Sequence, residues 1–301
     1  MAADSLNSKT AFIAIVGCPN VGKSSLLNRF LGEKVAIVSP KPQTTRTRIM
    51  GVLTDGATQL VFTDTPGYHK PKNKLGENMI RAVGEGINDV DACLLVVEPS
   101  GDIRPEEQTL IKKIKKAELP AVLAINKIDT VENKEELLAR ISLFAGLYDF
   151  NAIVPVSAVD GNGLDELIAE LKSLAMPSEH LFPDDTLTDQ PEKVIAAEYI
   201  REKILKFVDK EIPHGTAVAI EKFKDRADSD ILDIEATIYC EKESHKGIII
   251  GKGGEMLKRI STAARKDLEK FFACRVNLKC WVKVKEDWRN REGLIHNFGL
   301  D

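Results

Sequence analysis

At 301 residues, with 43% hydrophobic and 29% charged side chains, the chain is long enough for two ordinary domains and has the balance of a soluble globular protein. Its 42 basic and 46 acidic side chains leave a formal net charge of -4, so the chain as a whole does not advertise nucleic-acid binding. No apolar run approaches the roughly 18 residues of a membrane span, and residues 1–9 are too polar for a signal peptide.

The first half alternates strand and helix patterns. Ala11 to Val16 is an apolar run that predicts a buried strand, and Ser25 to Leu31 predicts the first turns of a helix. Ile49 to Leu53 and Leu60 to Thr63 predict a hairpin, with Asp55-Gly56 as the turn signal. Ala92 to Val97 and Ala121 to Ile125 are continuously apolar, as strands covered on both faces are. Ala152 to Val156 predicts a further strand. Helices are expected over Pro105 to Ala117, Lys134 to Phe144 and Leu164 to Leu174. This alternation implies a mainly parallel sheet with helices on both faces, which binds ligands outside the carboxyl ends of its strands.

Met176 to Gln190 has prolines, acids and threonines but no periodicity, and reads as a linker. Pro191 to Glu211 follows as a helix, with Asp189 and Glu192 at capping-box spacing. Thr216 to Phe223 and Ile231 to Cys240 read as strands around a charged turn, Asp225 to Asp230. A short helix near Ser244 to Ile249 leads into Gly251-Lys252-Gly253-Gly254. A longer helix then carries Leu257, Ile260, Ala264, Leu268 and Phe271 on one face. Arg275 to Val284 alternates Val276, Leu278, Cys280, Val282 and Val284 on one side, as a half-buried strand does. The expected units are residues 1–175, a linker over 176–190, a second domain over 191–285, and a tail or short helix over 286–301.

Charge is unevenly spread. Residues 242–291 hold 14 Lys or Arg against 6 Asp or Glu, a basic end on an acidic body, which suits a polyanionic partner. The five cysteines form no C-x-x-C pair; Cys93 and Cys240 lie in apolar runs where buried free thiols are expected, as in a reducing cytosol.

Between the first strand and helix, Gly17-Cys18-Pro19-Asn20-Val21-Gly22-Lys23-Ser24 has the spacing G-x-x-x-x-G-K-[ST] of a phosphate-binding loop, continued into the helix by Ser25. Glycines let backbone N–H groups converge on phosphate oxygens, and the helix N-terminus adds positive partial charge there. Lys23 supplies a full charge to the β- and γ-phosphates, and Ser24 a hydroxyl for magnesium. Asp64-Thr65-Pro66-Gly67 closes another strand; the aspartate can hold magnesium through water, and Gly67 can turn its N–H toward the γ-phosphate. Asn126-Lys127-Ile128-Asp129 closes a third. A carboxylate at Asp129 can accept from guanine N1–H and the exocyclic amine together, donors that adenine lacks on that edge. Ser157-Ala158, followed by Val159, closes a fourth and offers backbone to the guanine carbonyl. Pro40 to Arg48 is polar and proline-broken; Thr45 is the expected γ-phosphate-dependent magnesium ligand, with Thr44 close behind.

This set of motifs resembles the Era family of bacterial GTPases over nearly the whole chain. The matching segments are Gly17 to Ser24, Gln43 to Arg46, Asp64 to Gly67, Asn126 to Asp129, Ser157-Ala158 and a terminal unit similar to a type II KH domain, with Gly251 to Gly254 as its G-x-x-G loop. The resemblance implies an α/β P-loop GTPase domain plus an α+β KH domain, using GTP, GDP and magnesium. It further implies that Asn20 can help hold potassium beside the phosphates, supporting Lys23, Thr45 and Gly67 in catalysis. Tyr68 follows Gly67 where Ras-like enzymes place a water-orienting glutamine, so slow intrinsic hydrolysis is expected.

A KH loop clamps single-stranded nucleic-acid backbone. Ile250, Gly251, Lys252, Gly253, Gly254, Lys258, Lys283 and Arg289 are the RNA-binding candidates, with Ile248 to Ile250 and Val276 to Leu278 expected to line the groove. The family implies the 3′ end of 16S ribosomal RNA and the 30S subunit precursor as partners, with a monomeric cytoplasmic protein, and it leaves open peripheral association with the inner face of the cell membrane. Two rival readings are an RNA-binding protein whose GTP domain is only a support, and a membrane-associated signalling GTPase.

Overall fold

The computed structural model describes residues 8–227 and 229–300. The first seven residues, and Asp228 of the expected charged turn, lie outside the described residues. The chain divides into two compact units. The first comprises Met1–Ala36, Thr45–Pro71 and Met79–Asp189, and the second Ile37–Thr44, Lys72–Asn78 and Gln190–Asp301.

In the first unit the elements run β1 (Lys9–Gly17), α1 (Lys23–Leu31), β2 (Ile49–Asp55), β3 (Thr58–Asp64), α2 (Lys74–Asn88, of which the residues from Met79 on belong to this unit), β4 (Ala92–Val97), α3 (Pro105–Lys116), β5 (Ala121–Ile125), α4 (Lys134–Ala145), β6 (Ala152–Pro155), α5 (Leu164–Ser173) and β7 (Met176–Pro177). The sheet order is β2-β3-β1-β4-β5-β6. β2 is antiparallel to β3, and β3, β1, β4, β5 and β6 run parallel. Successive side chains of a strand face opposite ways. Ala11, Ile13 and Ile15 of β1 therefore meet Leu26, Leu27 and Phe30 of α1 and Leu167 and Leu171 of α5. Ala14 and Val16 meet Val83 and Ile87 of α2, Leu110 and Ile114 of α3, and Phe144 of α4. All six residues of β4 are buried, which is why that strand reads as an unbroken apolar run. Each such Leu or Val contributes about 1.5–3 kcal/mol on burial.

Helix α2 was not anticipated, although Leu75, Met79, Val83 and Ile87 are spaced four apart and all buried. The stretch 176–190 is tied to the first unit as far as Asp189. β7 pairs antiparallel with β1, the Gln59 amide bonds Leu181, Phe182 N–H and the Phe182 carbonyl, and Val52 N–H donates to the Leu187 carbonyl.

The second unit continues with α6 (Glu192–Phe207), β8 (Ala217–Asp225), β9 (Ile231–Cys240), α7 (Glu243–Ile250), α8 (Glu255–Phe272), β10 (Arg275–Val284) and α9 (Glu292–Asn297). Its sheet has the order β10-β9-β8, with β10 parallel and β8 antiparallel to β9. Ile200 and Ile204 of α6 and Ile260 and Ala264 of α8 pack on Ala236 and Ile238 of β9. The N-cap of α6 is Pro191, which has no side-chain acceptor to offer, rather than the expected Asp189. The end of the chain is not a loose tail. Trp288 is fully buried with its indole N–H on the Gly215 carbonyl at 2.9 Å, and Phe298 packs on both Trp288 and Tyr239.

Candidate functional site

The loop between β1 and α1 places its lysine by burial. Lys23 is 6% exposed, and its Nζ donates to the carbonyls of Gly17 and Cys18 at 3.2 and 3.0 Å. Burial lowers its pKa, and nearby Asp64 opposes that shift. Gly22 is the N-cap of α1 with φ +100°, a left-handed conformation that a side chain resists. A Cβ there would also lie 2.1 Å from the Asn126 amide nitrogen. Pro19 is half-buried, Val21 buried, Ser25 half-buried, and Asn20 exposed with φ 65°.

Three oxygens converge beside Lys23. Ser24 Oγ donates to Asp64 Oδ2 at 2.6 Å and lies 2.9 Å from Thr45 Oγ1, which is itself 3.4 Å from the same carboxylate oxygen. Asp64 Oδ1 is buried with no hydrogen-bond partner. Burial raises the Asp64 pKa to about 6, against the opposing influence of Lys23 and the two hydroxyls. An orphaned carboxylate oxygen beside two hydroxyls is a set of hard oxygen donors that suits magnesium. Thr65, Pro66 and Gly67 follow, all buried. Thr65 Oγ1 donates to the Ile15 carbonyl at 2.9 Å, Tyr68 N–H donates to the Gly17 carbonyl, and a Cβ on Gly67 would stand 2.6 Å from Pro19 Cα. The Asp64–Gly67 segment thus lies directly against the phosphate loop. Tyr68 turns into apolar packing, with Lys113 Nζ 5.1 Å from its ring centroid.

The remaining motifs are joined by Asn126, which is 1% exposed. Its amide donates to the Val21 carbonyl at 2.8 Å and accepts from Ala158 N–H at 3.0 Å. Asp129 is exposed, and its Oδ1 accepts from Ser157 Oγ at 2.6 Å. Lys127 adopts a left-handed conformation with φ 68°, and its Nζ reaches Glu98 Oε1 at 2.7 Å. Glu98 escaped the sequence reading. It directly follows β4 with no motif around it, and only the fold brings it to Lys127. Asn28 escaped likewise; its side chain bonds Val35 N–H and both backbone groups of Ala36.

The chain matches two family models: a 50S ribosome-binding GTPase over residues 12–127 and a KH domain over residues 211–289. It is 50% identical to GTPase Era of Clostridioides difficile strain 630 over 97% of this chain and 99% of that one. It is 47% identical to GTPase Era of Ruminiclostridium cellulolyticum over 98% of each. The chain belongs to the Era family of GTPases. Among solved structures, a variant of Aquifex aeolicus Era bound to GDP and AlF4- is 38% identical with a TM-score of 0.94, covering 97% of this chain and 99% of that one. A structure of Era with MgGDPNP and nucleotides 1506–1542 of 16S ribosomal RNA matches with the same identity, TM-score and coverage.

In this Era-family chain the G-x-x-G loop follows α7. Ile250 ends that helix, half-buried, and Gly251 has φ +75°; a Cβ there would come within 2.8 Å of the Met256 side chain. Lys252 and Gly253 are exposed, Gly254 is the N-cap of α8, and Lys258 is exposed in that helix's first turn. Lys283 is exposed on β10, on the opposite face from Val282 and Val284. Arg289 is bound to both oxygens of Glu241, at 3.1 and 2.6 Å. The expected groove lining needs correction. Ile249 is fully buried and Val276 is 5% exposed; both belong to the core. The helical and strand periods turn them inward, leaving Ile248, half exposed, and the half-buried Ile250, Asn277 and Leu278 as the accessible members.

Proposed function

We propose that this GTPase binds the 3′ end of 16S ribosomal RNA through its KH unit, assists maturation of the small ribosomal subunit, and changes its RNA affinity with the bound nucleotide. The roles assigned to individual residues are part of the proposal. Backbone N–H groups at the start of α1, with Lys23, bind the β- and γ-phosphates. Ser24, Thr45 and Asp64 hold magnesium, which when bound draws charge from the phosphate oxygens and favours transfer to water. Gly67 N–H turns to the γ-phosphate. Asp129 and the Ser157–Val159 backbone read guanine. Asn20 would help hold a potassium ion beside the phosphates, whose positive charge would stabilise the negative charge of the transition state. Tyr68 has no side-chain amide with which to orient a water, so intrinsic hydrolysis is slow.

One observation supports nucleotide control above the others. The chain passes from one unit to the other between Thr44 and Thr45. Thr45 joins Ser24 and Asp64. Its neighbour Thr44 gives its carbonyl to Arg201 of α6, a guanidinium oriented by Glu198 at 2.6–2.7 Å. Lys41 is likewise bound to the Val208 carbonyl and Asp209. A residue whose ligand depends on the γ-phosphate is thus bonded in sequence to a segment built into the KH unit. By linkage, RNA then changes nucleotide affinity by the same factor that nucleotide changes RNA affinity.

The test is fluorescence anisotropy of a labelled single strand matching the 3′ end of 16S ribosomal RNA, with a GTP analogue, with GDP and without nucleotide. Tighter binding with the analogue, abolished by Lys252→Asp with Gly253→Asp, supports the reading. Equal affinity in all three states removes nucleotide control, and absence of binding in every state removes the RNA ligand.

A further inference from the structure

We propose that Arg29 is a positioning residue for guanine selectivity: its guanidinium sets the backbone of the loop that reads the 6-carbonyl of the base. The inference rests on the reading that Ser157–Val159 faces that carbonyl.

Arg29 lies in the last turn of α1, one residue before the buried Phe30. It is exposed at the surface, yet it makes no carboxylate pair that would explain it as a solvent-facing ion pair among the described salt bridges. Its Nε donates to the Ala158 carbonyl at 2.7 Å, and its Nη2 donates to the Val159 carbonyl. The planar fork of a guanidinium thus holds two consecutive carbonyls at once, which a single ammonium cannot do.

Peptide geometry converts that grip into an orientation. The peptide unit is planar and trans, so its C=O and N–H point in opposite directions. Drawing the Ala158 carbonyl toward Arg29 turns Val159 N–H away from it. Drawing the Val159 carbonyl the same way turns Asp160 N–H away, and that group is found on Ser157 Oγ at 3.1 Å. Ser157 Oγ in turn donates to Asp129 Oδ1. From the other side, Ala158 N–H is held by Asn126 Oδ1. The loop is therefore clamped by Arg29 at its carbonyls and by Asn126 at its amide. Arg29 touches neither phosphate nor metal ligands, so its effect should be confined to the base.

Three nucleotides separate this role from a general structural one. GDP presents the 6-carbonyl, N1–H and 2-amine. 6-Thio-GDP keeps both donors for Asp129 but weakens the 6-position acceptor. IDP keeps the carbonyl and lacks the amine. Affinities are measured by calorimetry for the full chain and for Arg29→Met and Arg29→Lys, with melting temperatures recorded for each.

Arg29→Met is expected to weaken GDP and IDP equally, by about tenfold, the scale of one or two charge-assisted hydrogen bonds. It should weaken 6-thio-GDP by no more than about twofold, since little carbonyl recognition remains to lose. The GDP to 6-thio-GDP preference therefore falls while the GDP to IDP preference stays. Arg29→Lys should fall between, because lysine reaches one carbonyl. Equal weakening of all three ligands would assign Arg29 to the stability of the fold and overturn the proposal, as would unchanged GDP affinity. Failure of the wild-type chain to prefer GDP over 6-thio-GDP would instead overturn the underlying reading of Ser157–Val159.

Discussion

Replacing Arg140 with methionine is the most informative perturbation of the first unit. Arg140 of α4 is 2% exposed, and its ion partner Glu107 of α3 is 1% exposed. The guanidinium donates to both Glu107 oxygens at 2.9 and 3.1 Å, to the Glu98 carbonyl at 3.2 Å and to the Gly101 carbonyl at 2.9 Å. Its Cζ also lies 4.6 Å from the Phe144 ring centroid. Methionine keeps much of the apolar volume but abandons Glu107 as an unpaired charge, with only the Arg104 N–H, among the described residues, still bound to it, at 2.8 Å. Breaking one side of a buried pair costs about 3–5 kcal/mol, mostly through the charge left behind. With a urea slope of about 2 kcal/mol per molar, the midpoint should fall by roughly 1.5–2.5 M. Guanine nucleotide affinity should fall as well, because the same guanidinium fixes the backbone of Glu98, whose side chain holds Lys127. Far-UV circular dichroism follows the unfolding. Glu107→Met combined with Arg140→Met removes both charges and should recover most of the loss. A loss below about 1 kcal/mol in the single variant, or a double variant no better than the single, would refute the reasoning.

Asp129→Asn should reverse base preference: an amide accepts from N1–H but meets the guanine amine donor to donor, whereas xanthine offers a carbonyl there. GTP affinity should drop by about 100-fold or more while XTP gains, and an unchanged preference for GTP over ATP and XTP would refute the assignment. Gly22→Ala forces a Cβ against Asn126 at φ +100°; GDP binding should be nearly lost and stability should fall by about 1–3 kcal/mol, with undiminished calorimetric binding as the contrary result. Without magnesium or nucleotide, Asp64 has its pKa raised by burial to about 6. The folded protein therefore takes up this proton more readily than the unfolded chain, and the stability it contributes is full below about pH 4 and lost as pH rises through about 6. Asp64→Asn, which mimics the protonated form, should match the wild type near pH 4 and exceed it by up to about 3 kcal/mol above pH 6; a gap that does not change with pH would exclude this origin.

The strands were legible because burial on both faces demands continuous apolar runs, as in Ala92–Val97 and Ala121–Ile125. Helix α2 was equally periodic, but it follows Pro66 and Pro71 and carries Gly76, Gly84 and Gly86, whose poor helix propensity masks the pattern. Residues 176–190 looked structureless because their order comes from Gln59, Val52 and Met50, residues far back in the chain. The groove lining was misjudged because Ile248, Ile249 and Ile250 are chemically equivalent, and only packing against β9 decides that Ile249 is the one inside.

The sequence by itself determined the nucleotide chemistry. Phosphate cradling, magnesium donors and guanine selection each require particular atoms at short spacings, and Gly17–Ser24, Asp64–Gly67 and Asn126–Asp129 are the local segments proposed to carry them. Tertiary structure alone decided what holds those atoms in place. Glu98 under Lys127, Arg140 on Glu107, Arg29 on the Ala158 and Val159 carbonyls, and Arg201 on Thr44 join residues 29 to 157 positions apart. Such partners are chosen by proximity and burial rather than by spacing, so an isolated arginine or glutamate carries no sign of its task until the sheet and helices have brought it to its acceptor.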